Sequence, residues 1–333
     1  MQQKHITLGH GAGGSLSNEL IRKIILKHFR NRTLKRLEDA AVLKRTNHKV
    51  AFTTDSYVIH PIFFPGGDIG TLAVCGTIND LAMKGARPEY LSFSLIIEEQ
   101  FPVADLERIL QSAARTAQRA GVAIVCGDTK VVEKGSADKI FITTSGIGTI
   151  YMDVGTEHIR INDKIIVSGS IGDHGIALIN ERLDLGLRSS IKSDCAPLNL
   201  LTRTLKPYAH SIHCMRDPTR GGVASVLNET LGNRKMGIML EENCIPVRKQ
   251  VIGASEMLGI DPLYIANEGK LGAFVAPRAA KSIINRMHRH PYGRNAAVIG
   301  EVVKTPHGVW IRTSIGGTHP LLLLEAEGLP RIC

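Results

Sequence analysis

A chain of 333 residues, 43% hydrophobic and 22% charged, has the balance of a globular protein with room for two cores, which excludes a disordered or fibrous chain. No apolar run reaches membrane-spanning length, and Met1–Leu8 has no apolar signal core, so the expected location is the cytoplasm. A net charge of +10 suits nucleic acid, polyphosphate or an acidic protein alike. The basic residues are dispersed, however, and the one cluster (Arg30, Arg32, Lys35, Arg36) has a single aromatic neighbour, Phe29, which argues against a nucleic-acid surface.

In chain order, Gly9-His10-Gly11-Ala12-Gly13-Gly14 feeds a helical stripe of Leu16, Leu20, Ile24 and Phe29. A glycine-rich run entering a helix can cradle phosphate on bare N–H groups; it is equally a plain entry loop, and no Walker Lys-Ser/Thr follows it. Val50–Thr54 reads as a strand ending at Asp55. Thr71–Met83 reads as a helix carrying Asn79 and Asp80, and Asp105–Ala120 as an amphipathic helix capped by Gly121. Val122–Val125 reads as a buried strand ending in Cys126-Gly127-Asp128-Thr129-Lys130. Aspartates where strands give way to loops, drawn from separate elements, suit Mg²⁺ with a nucleotide polyphosphate. Asp39, before the apolar run Ala40–Leu43, is a further candidate, with turn capping as its alternative.

In the second half, Lys164–Val167 is a strand, and Ser168–Gly175 leads into a helix to about Leu185. His174 there reads as a structural histidine or a base. Asp217-Pro218 reads as N-cap and first residue of another helix, whose start would also suit an anion beside Arg220. Glu268 lies in a polar turn before the strand Leu271–Val275. Strands at 296–303, 309–313 and 321–324 follow. Strands and helices alternate irregularly, so the expected fold is α+β with mixed sheets. The expected units are 1–155, 156–324 and a mobile tail over 325–333. Of the six cysteines no two show metal-ligand spacing. Cys333 stands at the tip of the tail, which if extended reaches about 30 Å.

Taken together, GHGAGG (9–14), LEDAAVL (37–43), TTDS (53–56), FFPGGDIG (63–70), GTINDLAMKGARP (76–88), CGDTKVV (126–132), SGSIGDHG (168–175), RDPTRGG (216–222), ANEG (266–269) and PRIC (330–333) resemble the aminoimidazole-ribonucleotide synthetase superfamily of ATP-dependent enzymes. Within it, the terminal PRIC resembles the carbamoyl dehydratases of [NiFe]-hydrogenase maturation. The resemblance implies a homodimer joined through its N-terminal sheets and ATP bound between the two domains. It implies Mg²⁺ held by Asp55, Asp80 and Asp128, with Asp39 and Asp217 as further ligands. Gly11, Ala12, Gly13, Gly14 and Thr129 would contact the nucleotide.

The implied reaction starts with a partner carbamoyltransferase placing a carbamoyl group on Cys333. The protein then dehydrates it with ATP to a thiocyanate, and the cyanide passes to iron on a scaffold complex. Lys130 and Glu268 are the candidates for removing amide protons, with Lys130 alternatively a phosphate clamp. Two other readings stand beside this one: a nucleotide-gated assembly adaptor without chemistry of its own, and a small-molecule synthetase or kinase of the same superfamily.

Overall fold

The structure, a computed structural model, describes residues 14–20, 22–23, 34–44, 49–183, 191–324 and 331–333. Gly11, Ala12 and Gly13 lie outside the described residues.

The first sheet holds β1 (Ala41–Lys44), β2 (Lys49–Tyr57), β5 (Ala86–Glu98), β6 (Ala123–Cys126), β7 (Thr129–Val132) and β8 (Ile140–Ile150). A small hairpin of β3 (Phe63–Phe64) and β4 (Gly67–Asp68) stands apart from it. The order is β1-β2-β8-β5-β6, with β7 also paired to β5. One face is covered by two helices. These are α2 (Ile69–Met83), which follows the short α1 (Ser15–Leu20), and α3 (Val103–Ala120). The Asp68 carboxylate caps α2 by accepting from Thr71 N–H at 2.8 Å. Glycine at 146 on β8 lets α2 lie close, since a Cβ there would stand 2.8 Å from Thr77 Cγ2 and 2.9 Å from Leu81 Cδ1. α3 ends at Gly121 in the left-handed region, φ 70°, as its sequence signal predicts.

The second sheet holds β9 (Lys164–Val167), β10 (Ile212–Arg216), β11 (Gly237–Glu241), β12 (Gly272–Val275), β13 (Ala297–Val303), β14 (Gly308–Arg312) and β15 (Thr318–Pro320). Their order is β10-β12-β9-β13-β11-β14-β15, with mixed parallel and antiparallel pairing. Helices α4 (Asp173–Leu183), α5 (Asn199–Thr204), α6 (Gly222–Leu231), α7 (Lys249–Leu258) and α8 (Pro277–Met287) accompany it. The fold is thus mixed α/β. Among the described residues no helix is long and apolar enough to cross a membrane.

The two halves share packing. Ala82 and Met83 of α2 join a core with Leu198, Leu201 and Leu271, and Ile59, Leu72 and Phe64 join one with Leu178, Ala266 and Ile332. Asn79 pins the halves together. Its amide donates to Ala196 O at 3.1 Å, and its carbonyl accepts from Leu198 N–H at 2.8 Å.

Four expectations change. Asp55 is inside β2, which runs on to Tyr57, because the ladder to β8 continues past it (Asp55 opposite Thr144). The strand over 123–126 is exposed rather than buried, because it lies at the sheet edge. Asp217 is not a helix cap: Gly221 and Gly222 take φ of 70° and 61°, and α6 starts only at Gly222. The strand expected over 321–324 lies earlier, at 318–320.

Candidate active site

A cleft of about 340 Å³ opens between the two sheets. From the N-terminal half it is lined by Asp39, Thr53, Asp55, Tyr57 and Asp80, and from the C-terminal half by Arg216, Asp217, Arg220, Glu229 and Glu268. Cys333 lines it too.

Asp80 reaches the cleft from the last turn of α2, and Asp39 from the segment before β1. The Thr53 hydroxyl joins them: it lies 2.7 Å from Asp80 Oδ2 and 2.9 Å from Asp39 C=O. Asp217, released from capping by the two left-handed glycines, completes the group. One carboxylate oxygen from each of Asp39, Asp80 and Asp217 lies within 4.8 Å of the others. Arg216 is the cation beside them, its Nε 3.0 Å from Asp39 Oδ2. Asp55 stands next to the cluster and accepts from Tyr57 Oη at 3.1 Å.

Burial and crowding of like charge act on all of these groups. Asp80 is pushed well above the usual carboxylate range by burial, then by Asp55, Asp217 and Asp39. Asp217 is pushed up to about 7 by burial and then by Asp39. Asp39 is raised by burial, against the pull of Arg216. Hard oxygens at this spacing, with more negative charge than one guanidinium balances, fit a divalent cation.

Glu268 is buried, and its Oε1 has no hydrogen-bond partner. Burial pushes its pKa well up, followed by Asp217, Asp194 and Asp55. Its backbone is held by Asp194, which accepts from the Glu268 and Gly269 N–H groups at 3.0 and 3.2 Å and from Lys270 Nζ at 2.8 Å. Burial alone would raise the Asp194 pKa, but the Lys270 ammonium beside it brings the carboxyl below its usual range.

The expected mobile arm is docked over its last three residues. Ile332 is 1% exposed and belongs to the N-terminal core. Val58 N–H donates to Cys333 C=O at 3.2 Å, His60 N–H to Arg331 C=O at 3.1 Å, and Arg331 Nε–H to Val58 C=O at 2.8 Å. Arg331 also pairs with Asp138. The hydrophobic gain of seating Ile332 is what draws the segment inward.

A second cavity of about 620 Å³ shares Asp39, Thr53 and Thr54 with the cleft and continues along Leu37, Ala41, Val42, Lys49 and Lys84. Gly14, the last residue of the glycine run, accepts from the Asn18 amide at 3.0 Å, and that amide stands 3.4 Å from Glu229 of the cleft.

The structure therefore brings together Asp39, Asp55, Asp80, Asp217, Glu268 and Cys333. It does not bring Asp128, Thr129 or Lys130 to them. Asp128 and Lys130 are exposed, paired with each other at 2.5 Å. They sit by β7, three strands across the sheet from Asp55 on β2, about 14 Å at the usual strand spacing. Arg216, Glu229, Tyr57 and Thr53 were not foreseen as site residues. Arg216 and Thr53 stand inside noted motifs, while Glu229 carried no sequence signal.

Fold and cleft define a protein of two packed halves with an acidic site between them, and two family models divide the chain in the same way. Residues 37–150 match the family described as "AIR synthase related protein, N-terminal domain", and residues 160–312 its C-terminal domain. "Carbamoyl dehydratase HypE" of Azotobacter vinelandii is 46% identical over 331 residues, 98% of this chain and 97% of that one. Among solved structures, the "HypE-HypF complex" matches with TM-score 0.88 at 45% identity, over 92% of this chain and 99% of that one. "Hydrogenase Maturation Protein HypE in complex with ATP" matches with TM-score 0.83 at 44% identity, over 99% of this chain and all of that one. The chain belongs to the AIR synthase-related family and, within it, to the HypE carbamoyl dehydratases, which are enzymes.

Proposed function

We propose that this chain carries out an ATP-dependent dehydration of a carbamoyl group on its own Cys333, giving a thiocyanate whose cyanide serves iron in [NiFe]-hydrogenase maturation. The observation that carries this reading is the position of Cys333. It lines the same cleft as Glu268 and the Asp39–Asp80–Asp217 cluster. The relative solved with ATP supports nucleotide binding, and the relative solved with HypF supports a protein partner, which we assign as the carbamoyltransferase that loads the thiol.

The nucleotide occupies the larger cavity, with its polyphosphate at the junction formed by Asp39, Thr53 and Thr54. Asp39, Asp55, Asp80 and Asp217 would hold Mg²⁺ there, which when bound neutralises the polyphosphate and the acidic cluster. Gly14 offers its backbone to the phosphates. Arg216 and Arg220 face the transferred phosphoryl group.

In the S-carboxamide the oxygen is a poor leaving group. It attacks the γ-phosphorus, the bond to the β-phosphate oxygen breaks, and ADP leaves. Loss of the two N–H protons and of phosphate then leaves S–C≡N. Glu268 takes an N–H proton. To act as a base it must be ionised; burial and then the charges of Asp217, Asp194 and Asp55 hold it protonated, and balancing the charge of the acidic cluster relieves the second of these.

We further infer a homodimer. The sheet face away from α2 carries the cross-strand row Phe52–Ile147–Tyr90, with Phe52 and Tyr90 44% and 50% exposed. The edge beside it exposes Val125 and Val131. A second copy would cover this apolar surface. Lys130, with Asp128 and Thr129, serves the cleft of the other copy, as clamp or base. Mass spectrometry of the C-terminal peptide tests the central reading. With ATP, Mg²⁺, carbamoyl phosphate and the carbamoyltransferase, Cys333 gains a carbamoyl group that then loses one water. A bare thiol with ATP still hydrolysed would return the protein to the small-molecule synthetases and kinases. An adduct that never dehydrates would make it an adaptor.

A further inference from the structure

The docked tail is held by a chain of hydrogen bonds that the chemistry above does not itself use. The Ile332 carbonyl oxygen lies 2.8 Å from His174 Nε2. A carbonyl only accepts, so Nε2 carries the proton. That leaves Nδ1, 2.8 Å from Ser193 Oγ, as the acceptor, and the Ser193 hydroxyl donates to it. Ser193 Oγ in turn accepts from Cys195 N–H at 3.1 Å, while Ser193 N–H donates to Pro65 C=O at 2.7 Å. Each group in the chain has one role, and the tautomer of His174 is fixed from both sides. The ring is fully buried, edge-on to Phe64 at 5.6 Å between centroids, and burial lowers its pKa, which keeps it neutral.

His174 stands in the first turn of α4, in the C-terminal half. The bonds from Val58 and His60 hold the tail from the N-terminal half. The Ile332 carbonyl belongs to the peptide unit that carries Cys333. Its direction therefore decides where the thiol points in the cleft.

We propose that His174 is a positioning residue for the reaction at Cys333. Its Nε2–H orients the last peptide unit and so sets the thiol-borne group against Glu268. The bond must break whenever the tail leaves to be loaded. This inference rests on the dehydratase reading above and adds to it a residue that touches neither nucleotide nor carbamoyl group.

Two conservative variants separate positioning from packing. The amide nitrogen of glutamine reaches the place of Nε2, whereas that of asparagine reaches only the place of Nδ1. His174→Gln therefore keeps a donor for Ile332. His174→Asn keeps a partner for Ser193 and leaves the Ile332 carbonyl without one. Each full-length chain would be carbamoylated with the partner enzyme, isolated and mixed with ATP and Mg²⁺, and loss of water followed by intact mass. In parallel, alkylation of Cys333 by iodoacetamide would be timed on the unloaded chain, peptide by peptide.

His174→Asn is expected to dehydrate about tenfold more slowly and to be alkylated at Cys333 about tenfold faster, the population change that one lost buried hydrogen bond brings. Its loading by the carbamoyltransferase should not slow. His174→Gln should stay within about threefold of the parent chain in all three rates. Asparagine behaving like the parent chain, or glutamine as impaired as asparagine, would overturn the proposal. If the parent chain itself loads and never dehydrates, the dehydratase reading fails, and the alkylation rates of the two variants still decide whether His174 holds the tail.

Discussion

Replacing Asp217 by asparagine is the sharpest test of the acidic cluster, because it should stabilise the protein while removing its function. The Asp217 pKa stands at about 7 against the usual 3.8, raised by burial and by Asp39. Between those values the folded chain holds a proton that the unfolded chain has released, so folding stability falls as pH rises from about 4 to about 7. Three pKa units at about 1.36 kcal/mol each give a cost on the order of 4 kcal/mol above pH 7.

Asparagine keeps the volume and removes the charge, but its amide must still find hydrogen bonds. The gain expected is therefore about 1–3 kcal/mol, a Tm rise of about 1–4 °C for a chain of this size. The assay is thermal unfolding without metal at pH 5 and pH 7.5, then at pH 7.5 with Mg²⁺ and ATP. Asp217→Asn should melt above the parent chain at pH 7.5, and the two should converge at pH 5. With the ligands at a hundred times their Kd the parent chain should gain about 2.7 kcal/mol, and the variant little of it. A variant that melts below the parent chain at pH 7.5 without metal, or that gains as much from Mg²⁺ and ATP, would refute the reasoning.

Three further outcomes follow from the same geometry. Glu268→Gln should load normally and lose dehydration by about 100-fold or more, the range of general-base removal; unchanged thiocyanate yield by mass spectrometry would clear Glu268 of that role. Chains carrying Lys130→Ala and Cys333→Ala, each inactive alone, should regain activity when mixed as heterodimers, because one copy supplies the thiol and the other the lysine; no recovery would place Lys130 in its own chain's cleft or outside the reaction. Ile332→Ala should cost about 2–5 kcal/mol of tail docking and speed alkylation of Cys333 at least tenfold; an unchanged rate would mean that the burial of Ile332 does not hold the tail.

Local signals in the sequence were legible where a single element determined them. The α3 helix with its Gly121 cap, the strand at Lys164–Val167 and the aspartates of the cleft all fall in this group. The two central strands of the first sheet were not read. β8 breaks its apolar residues with Thr143–Gly146, Gly148 and Thr149, and β5 includes Pro88 and two serines, so neither shows an apolar run longer than three residues. Their polar positions make sense only once α2 is known to press on one face. Asp55 and Asp128 looked equivalent, each after a β-run, but which strands lie side by side is decided by long-range pairing. That pairing puts β2 and β7 at opposite sides of β8 and β5. Asp217 read as a cap because Asp-Pro is a common helix start. Only the backbone at Gly221 and Gly222 shows that the helix waits and the carboxylate is left for the cleft.

Arg331 adopts a left-handed backbone, φ 58°, in the docked tail. Such a conformation in a non-glycine residue costs about 1–3 kcal/mol, and fixing three residues costs about 1–2 kcal/mol each. Against this stand the burial of Ile332, worth about 2–3 kcal/mol, and the hydrogen bonds of the segment, from His174 to Ile332, Val58 to Cys333, His60 and Arg182 to Arg331, and Arg331 to Val58 and Asp138, at about 1 kcal/mol each. The balance favours docking by about 2 kcal/mol, enough to keep Cys333 mostly in the cleft, and the strained backbone at Arg331 keeps that margin small. A partner that takes hold of the tail, as the proposed loading step requires, therefore loses only about that margin in affinity.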